Sequence, residues 1–274
     1  MTTVQLRHGT IEAGGRTRAY TLAAPTGGFD RLLLAFHGSG LDADRFRSFT
    51  RNTFDTVPGT AVAYLDGFKG NWNDARLGSR FPARRANIDD VAFTAAVAAR
   101  LGEGRPVYAA GYSNGGGMVI RLLHERPDLI AGGAIIAAGQ PAPDNFLLSP
   151  DLPVVPRPVL LIHGTRDPIV PYQGGPLPVW ARYVFRAHGA LLSAPDTAAY
   201  FAARNGITAA PVTSTLTAEV SRTDFHQPGR EPVRLFTVHG GGHTIPGPVP
   251  SPAVMGRTTT DLHTTAAIAD FFGF

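Results

Sequence analysis

Residues 107–126 read VYAAGYSNGGGMVIRLLHER, and this stretch decides the fold class. Its first four residues are a short apolar run, which is typical of a β-strand buried on both faces. Residues 116–126 have the pattern of a helix that ends before Pro127. Between the two, Gly111-Tyr112-Ser113-Asn114-Gly115 puts a serine on a tight strand-to-helix turn, where small residues on either side relieve crowding. We therefore expect the Ser113 hydroxyl to stand above the end of a strand.

Strand and helix patterns alternate along the rest of the chain. Short apolar runs occupy residues 32–36, 61–65, 107–110, 134–138, 159–162 and 233–238. Helical patterns occupy residues 87–101, 116–126, 195–204 and 264–272. Two alternating stretches, 4–12 and 16–23, flank Ala13-Gly14-Gly15 as in an antiparallel hairpin. These patterns predict an α/β fold with a mostly parallel sheet of about eight strands, an antiparallel N-terminal hairpin, and helices on both faces.

Composition favours a folded single domain over residues 1–274. Of these residues 43% are apolar and 17% are charged, which is enough apolar material for a large core. The net charge of +4 is spread along the chain, and the longest basic cluster is Arg84-Arg85. Nucleic-acid binders concentrate Lys and Arg on one face, so we expect no nucleic-acid partner. Attraction for anionic substrates remains compatible with this charge.

The absence of cysteine and of long apolar segments bears on the compartment. A chain without cysteine has no disulfides and no thiolate metal ligands. The first residues lack the basic and apolar regions of a signal peptide, and no run reaches the 18 apolar residues of a membrane span. We therefore expect a cytoplasmic protein without a membrane partner.

A serine nucleophile needs a base, and the base needs an acid to orient it. Asp167 follows the run at 159–162, and His243 follows the run at 233–238 in a glycine-rich loop. Both lie beyond the ends of predicted parallel strands, where open α/β sheets place their sites. His239 is the main rival for the base, but it directly continues its strand, so His243 is preferred.

Other carboxylates and a metal site fit the pattern less well. Asp144 and Asp151 lie in a proline-rich loop before the strand that leads to Asp167, as solvated loop carboxylates would. The close histidine pair, His239 and His243, lies in a loop and has no carboxylate at ligand spacing. We expect neither a metal nor a cofactor.

The loop Phe36-His37-Gly38-Ser39-Gly40 follows the run at 32–36 and offers donors for a developing oxyanion. In folds with a serine on such a turn, one backbone N–H comes from this loop and one from the residue after the nucleophile. These are assigned to Ser39 and Asn114. His37 is expected to brace the loop by hydrogen bonding.

Four motifs together resemble the α/β-hydrolases, and within them the branch of polyhydroxybutyrate depolymerases and feruloyl or acetylxylan esterases. The motifs are His-Gly-Ser-Gly at 37–40, Gly-Tyr-Ser-Asn-Gly-Gly at 111–116, His-Gly-Thr-Arg-Asp-Pro-Ile-Val-Pro-Tyr at 163–172 and Gly-Gly-Gly-His-Thr-Ile-Pro-Gly at 240–247. The resemblance implies the catalytic triad Ser113, Asp167 and His243. It also implies oxyanion donors at Ser39 and Asn114.

The resemblance extends to substrate contacts. It implies that Trp72 lies beside the acyl or alcohol group, although a core role for this tryptophan is an equal alternative. Tyr112 and Trp180 are further candidates for substrate contact. The excursion around 171–193 is longer than in simple members of the branch, and is predicted to be either a cap over the site or a subunit contact in a homo-oligomer.

The function expected from this resemblance is hydrolysis of a carboxylic ester through an acyl-enzyme. The extra domain, leader and disulfides of secreted polymer-degrading members are not found, so a soluble ester or oligoester is the expected substrate, of the hydroxyalkanoate, hydroxycinnamoyl or acetyl type. Two alternatives remain open: an acyltransferase with the same triad, and a non-catalytic binding protein that retains the fold.

Overall fold

The computed structural model describes residues 3–149, 151–185 and 187–274. Its strands are β1 (Val4–Ala13), β2 (Arg16–Pro25), β3 (Arg31–Phe36), β4 (Thr60–Leu65), β5 (Val107–Tyr112), β6 (Gly132–Ile136), β7 (Val159–Gly164), β8 (Gly175–Pro176), β9 (Ala190–Leu191), β10 (Val212–Thr215), β11 (Val220–Phe225) and β12 (Val233–Val238). Its α-helices are α1 (Ala43–Phe49), α2 (Pro82–Arg85), α3 (Asp90–Gly102), α4 (Asn114–Glu125), α5 (Val179–Phe185), α6 (Ala194–Arg204) and α7 (Thr264–Phe272).

Ten of these strands form one sheet, in the order β1-β2-β4-β3-β5-β6-β7-β12-β11-β10. The six central strands, from β4 to β12, are parallel to one another. An antiparallel pair extends the sheet on each side, β1 with β2 and β10 with β11. This is the α/β-hydrolase architecture expected from the sequence.

The sheet is larger than the eight strands predicted, because β10 and β11 were missed. Their side chains are mostly polar, and β10 is largely exposed to solvent. Strands at the edge of a sheet do not need an apolar face on both sides, so they lack the apolar runs that mark the central strands.

Apolar layers cover both faces of the sheet. In β3, Leu32, Leu34 and Phe36 point to one layer, which includes side chains of α3, α4 and α6. The alternate residues Leu33 and Ala35 point to the other layer, which includes side chains of α1 and α7. Successive side chains of a strand point to opposite faces, so burial on both sides requires the continuous apolar run seen in the sequence.

The excursion around 171–193 contains α5 and the short antiparallel pair of β8 with β9. It has its own apolar cluster, in which Leu177, Ala181 and Leu191 are buried. Isolated β-bridges join it to the preceding loops, between Ser79 and Ala187 and between Pro141 and Leu191. No helix in the described residues is long and apolar enough to cross a membrane.

Candidate active site

Ser113 lies on the turn between β5 and α4 in a conformation that non-glycine residues rarely adopt, with φ 55° and ψ −119°. Its N–H donates to the carbonyl oxygen of Ile136, and its own carbonyl accepts from the N–H of Gly117. A Cβ atom on Gly115 would lie 2.1 Å from the carbonyl oxygen of Phe36. The glycine two residues after the serine is therefore required by close backbone contact.

The three residues of the predicted triad form a hydrogen-bonded chain. The hydroxyl of Ser113 lies 2.9 Å from Nε2 of His243, and Nδ1 of His243 lies 2.7 Å from Oδ2 of Asp167. The other carboxylate oxygen, Oδ1, accepts the backbone N–H groups of Ile169 and Val170, each at 2.8 Å. These bonds hold the carboxylate in one orientation against the imidazole.

Asp167 is buried but remains an anion. Burial alone would raise the pKa of this carboxyl, but the positive charge that His243 can carry and hydrogen bonds from His163 and His243 outweigh that effect and hold the pKa well below its usual range. His163 is buried, with Nε2 at 2.9 Å from the carbonyl oxygen of Val170 and 3.4 Å from Oδ2 of Asp167.

The rival candidates lie elsewhere. His239 is exposed and its Nε2 is bonded to the hydroxyl of Ser221 at 2.9 Å. Asp144 and Asp151 are exposed loop residues. Geometry therefore selects His243 and Asp167 from the alternatives that the sequence offered.

Ser39 and Asn114 line the cavity beside Ser113. Asn114 is the first residue of α4, where the backbone N–H has no partner within the helix and the helix dipole favours negative charge. Neither the Ser39 N–H nor the Asn114 N–H donates a backbone hydrogen bond to another described residue. A Cβ on Gly38 would lie 2.9 Å from the Tyr112 ring, so glycine is needed for this loop to approach the serine.

His37 holds the loop at residues 36–40 by two hydrogen bonds. Its Nε2 accepts the N–H of Gly67 at 2.9 Å, and its Nδ1 donates to the carbonyl oxygen of Gly38 at 2.8 Å. Both ring nitrogens are thus engaged in the neutral form. Burial lowers the pKa of His37 to about 4, although the hydrogen bond to Gly38 opposes this change.

A polar network behind Asn114 was not foreseen from the sequence. The side-chain Oδ1 of Asn114 accepts the N–H of Trp72 at 2.7 Å, and its Nδ2 donates to Oδ2 of Asp74 at 2.6 Å. The Asp74 carboxylate is fully buried and also accepts the Nε–H of Arg76 at 2.9 Å. The side chain of Asn114 therefore anchors a residue that lines the cavity and whose backbone N–H has no partner among the described residues. In sequence, Asn71-Trp72-Asn73-Asp74 gave no signal of this contact across 40 residues.

The cavity beside Ser113 is walled mainly by apolar side chains. They come from four segments: Phe81 from the loop before α2, Ala138 and Pro141 from the loop after β6, Ile169 and Val170 from the loop after β7, and Leu177, Phe185 and Leu191 from the excursion at 171–193. The excursion thus forms part of the wall around the candidate nucleophile.

The three predicted substrate contacts are placed outside this wall. Trp72 is completely buried: it packs against Phe36 and His37, and its Nε1–H donates to the carbonyl oxygen of His37 at 2.9 Å. This is the core role that the sequence left open. Tyr112 is buried behind the triad, and Trp180 is 45% exposed on α5, packed near Phe185. The position of an aromatic residue near a motif does not predict substrate contact, because the spacing of residues in a motif does not determine which way a side chain points.

Comparison with known proteins identifies the relatives of this chain. It is 33% identical to "Putative esterase NocK" of Nocardia uniformis subsp. tsuyamanensis, over 95% of this chain and 80% of NocK. It is 28% identical to feruloyl esterase B of Piromyces equi over 77% of this chain, but it spans only 39% of that longer protein. No protein-family model matches the chain.

The fold has a close match among solved structures. The acetyl xylan esterase of Aspergillus awamori superposes with a TM-score of 0.66 over 98% of this chain and 99% of that enzyme, at 13% identity. An identity this low supports the shared fold alone. The fold is that of an α/β-hydrolase, and the likeness to NocK over nearly the whole length shows that the chain belongs to an α/β-hydrolase esterase family.

Proposed function

We propose that the protein is a serine-dependent carboxylic ester hydrolase that forms an acyl-enzyme on Ser113. The observation that carries this proposal is the continuous hydrogen-bonded chain from Ser113 through His243 to Asp167. Membership of an esterase family supports the reaction class. The N–H groups of Ser39 and Asn114, which donate to no other described residue, support acyl transfer in particular, because that reaction develops charge on a carbonyl oxygen.

Each step of the proposed reaction is assigned to one of the candidate groups described above. His243 takes the proton of the Ser113 hydroxyl as the oxygen attacks the ester carbonyl carbon, and the N–H groups of Ser39 and Asn114 stabilise the resulting oxyanion. The tetrahedral intermediate collapses, the bond to the alcohol breaks, and the alcohol leaves with the proton from His243. Asp167 holds the imidazole with its proton on Nδ1.

Water completes the cycle. His243 removes a proton from the water molecule that attacks the acyl-enzyme, and then returns a proton to Ser113 as the carboxylic acid leaves. The apolar wall of the cavity suits a short acyl chain or an aromatic acid. Soluble acetyl, hydroxycinnamoyl or hydroxyalkanoate esters are therefore the proposed substrates, and the relative named feruloyl esterase B supports the hydroxycinnamoyl type.

The test is replacement of Ser113 by alanine, assayed with 4-nitrophenyl acetate and butyrate. We expect kcat to fall on the order of 10⁴-fold or more, since removal of a triad nucleophile leaves only binding and oxyanion stabilisation. Ser48→Ala is the matched control, because Ser48 is exposed on α1. A fluorophosphonate probe should label the wild-type enzyme at Ser113, as read by peptide mass spectrometry.

Two results would count against the proposal. Ester hydrolysis that persists in Ser113→Ala would rule out this nucleophile, and a wild-type protein that neither turns over esters nor reacts with the probe would favour a binding protein. Product analysis with added alcohol separates the remaining alternative, since transfer in preference to hydrolysis would mark an acyltransferase.

A further inference from the structure

A groove borders the cavity beside Ser113, and a wider basin borders the groove. Ser39, Phe81 and Phe185 line both the cavity and a groove of about 340 Å³. Arg80 and Arg85 line that groove and also an outer basin of about 1090 Å³. The three spaces therefore lie side by side between the candidate nucleophile and solvent, and together they are called the path below.

The guanidinium groups of Arg80, Arg85 and Arg182 give the outer part of this path its positive charge. They line the outer basin together with His188 and the exposed side chains of α5. In the described residues, no acidic side chain lines either the groove or the basin. An anion that enters the path would therefore meet cations without competing carboxylates.

The guanidinium groups of Arg80, Arg85 and Arg182 have no acidic partner among the described residues and are therefore available to a ligand. Arg80 and Arg85 are exposed, and neither they nor Arg182 form an ion pair with a carboxylate of the described residues. The Nε of Arg182 is buried and has no hydrogen-bond partner there. Arg76 differs, because Asp74 already neutralises it.

Backbone hydrogen bonds join the two segments that carry these arginines, the loop before α2 and the excursion at 171–193. Ser79 and Ala187 form an isolated β-bridge, and the N–H of His188 donates to the carbonyl oxygen of Gly78 at 3.0 Å. The N–H of Gly78 in turn donates to Oδ1 of Asn145 at 2.9 Å. The loop before α2 and the excursion are thus held side by side, which limits the entropy lost when a ligand bridges them.

We propose that this basin, with Arg80, Arg85 and Arg182, binds an oxyanion, a carboxylate or phosphate, that belongs to the ester substrate. This inference rests on the proposed esterase function and names its substrate class as anionic esters. Guanidinium groups bind such oxyanions through paired N–H donors, and several of one sign in a recess also raise the local concentration of the anion. The apolar cavity holds the ester bond and its short chain while the charged end stays in the basin.

The charged group can lie on either side of the ester bond, so the experiment has two arms of matched substrates. The acyl arm compares 4-nitrophenyl hydrogen adipate with its methyl ester, and the alcohol arm compares 4-acetoxybenzoate with methyl 4-acetoxybenzoate. The measured quantity is the ratio of kcat/KM for the anionic ester to kcat/KM for the neutral ester. We expect this ratio to exceed one in at least one arm at low ionic strength.

The variants test whether the arginines cause the preference. In Arg80→Gln/Arg85→Gln the ratio should fall about tenfold, since two partly exposed charge contacts are lost. Arg7→Gln/Arg230→Gln lowers the net charge equally at exposed sites outside the path, and should keep the wild-type ratio. In wild type, about 0.5 M NaCl should reduce the ratio by screening.

A ratio of one or less in both arms, or an unchanged ratio in Arg80→Gln/Arg85→Gln, would overturn the inference. Failure of the esterase proposal is separable, because no ester would then be turned over. In that event, the binding of 4-acetoxybenzoate and of its methyl ester to Ser113→Ala is measured by calorimetry. If the anion binds more tightly than the methyl ester, and this difference disappears when Arg80→Gln/Arg85→Gln is added, the proposed anion site is supported. Equal binding of the two compounds overturns it.

Discussion

The Tyr112 hydroxyl donates a hydrogen bond of 2.6 Å to the carbonyl oxygen of His243, a residue 131 positions further along the chain. The two rings also pack together, with centroids 5.1 Å apart. Burial, followed by the nearby charge of Asp167, raises the pKa of Tyr112, so the hydroxyl stays protonated and can donate. The residue before the candidate nucleophile thereby positions the loop of the candidate base.

Tyr112→Phe should therefore slow turnover without weakening substrate binding. The ring remains packed against Phe49 and His243, but a buried carbonyl loses its donor. We expect kcat to fall by about three- to tenfold with KM nearly unchanged, and the free energy of unfolding to fall by about 1–2 kcal/mol. Steady-state kinetics and urea denaturation measure both, with half-buried Tyr108→Phe near the start of β5 as control. An unchanged kcat would show that the bond does not position His243.

Asp74→Asn should disturb the oxyanion donor indirectly. The substitution weakens the anchor of the Asn114 side chain and leaves the Arg76 guanidinium half-buried without its carboxylate. We expect lower kcat and a loss of about 3 kcal/mol in the free energy of unfolding, because an unpaired buried charge is costly. Kinetics and chemical denaturation check this.

A double variant separates the two effects of Asp74. Asp74→Asn/Arg76→Met removes the unpaired charge and should recover most of the stability. The low kcat should persist, since the carboxylate that holds Asn114 is still absent. Recovery of kcat together with stability would mean that Asp74 acts only on the fold.

Asp167→Asn should lower kcat more than the substitutions at Tyr112 and Asp74 do. An amide at this position can present its N–H to Nδ1 of His243, which favours the wrong imidazole tautomer for proton uptake from Ser113. We expect kcat to fall about 10⁴-fold. Circular dichroism should show a folded protein, and near-wild-type kcat would remove Asp167 from the site.

The contribution of the Asp167 carboxylate to the free energy of unfolding should be lost only below about pH 4. The folded-state pKa of this carboxyl lies below its ordinary value of about 3.9, so its stabilising contribution is complete above that pH and is lost as the pH falls further. The difference in the free energy of unfolding between wild type and Asp167→Asn should therefore shrink between about pH 4 and pH 2, as measured by urea denaturation. A difference that shrinks between pH 8 and pH 5 would contradict this.

Two buried histidines predict a second loss of stability on acidification, in a higher pH range than that of Asp167. Burial is the main cause that lowers the pKa of His37 and of His124 to about 4, aided at His124 by the charge of Arg204. The unfolded chain binds protons from about pH 6.5 downward, so stability should be complete above that pH and fall progressively toward pH 4. Urea denaturation across this range should show a shallower slope in His124→Gln than in wild type. The exposed His226→Gln should leave the slope unchanged, and an equal slope in all three proteins would contradict the assignment.

Prediction from the sequence succeeded where local chemistry and position along the chain carry the information. The central strands are apolar without interruption because both of their faces are buried, and this made β3 and β5 recognisable. The turn at Ser113 was recognisable because its backbone needs glycine at Gly115. The α/β-hydrolase fold is confirmed. The triad, by contrast, remains a proposal that the hydrogen-bonded geometry supports.

The sequence was least informative for residues whose role depends on side-chain direction. It left Trp72 open between substrate contact and the core, and the structure places it in the core. Trp180 was a candidate for substrate contact, but it is half-exposed on α5 and does not line the cavity beside Ser113. The polar strands β10 and β11, at and next to the edge of the sheet, were missed because partly exposed strands leave no continuous apolar pattern.

The sequence by itself determined the fold class, the turn that carries Ser113 and the order in which serine, acid and base candidates follow one another. Those features depend on backbone conformation and on burial averaged along each strand, which residue types specify locally. Only the tertiary structure decided that Tyr112 donates to the carbonyl oxygen of His243, that Asp74 holds Asn114 and that Arg80 and Arg182 line one basin. These contacts join residues distant in sequence, and their existence depends on how packed elements orient individual side chains.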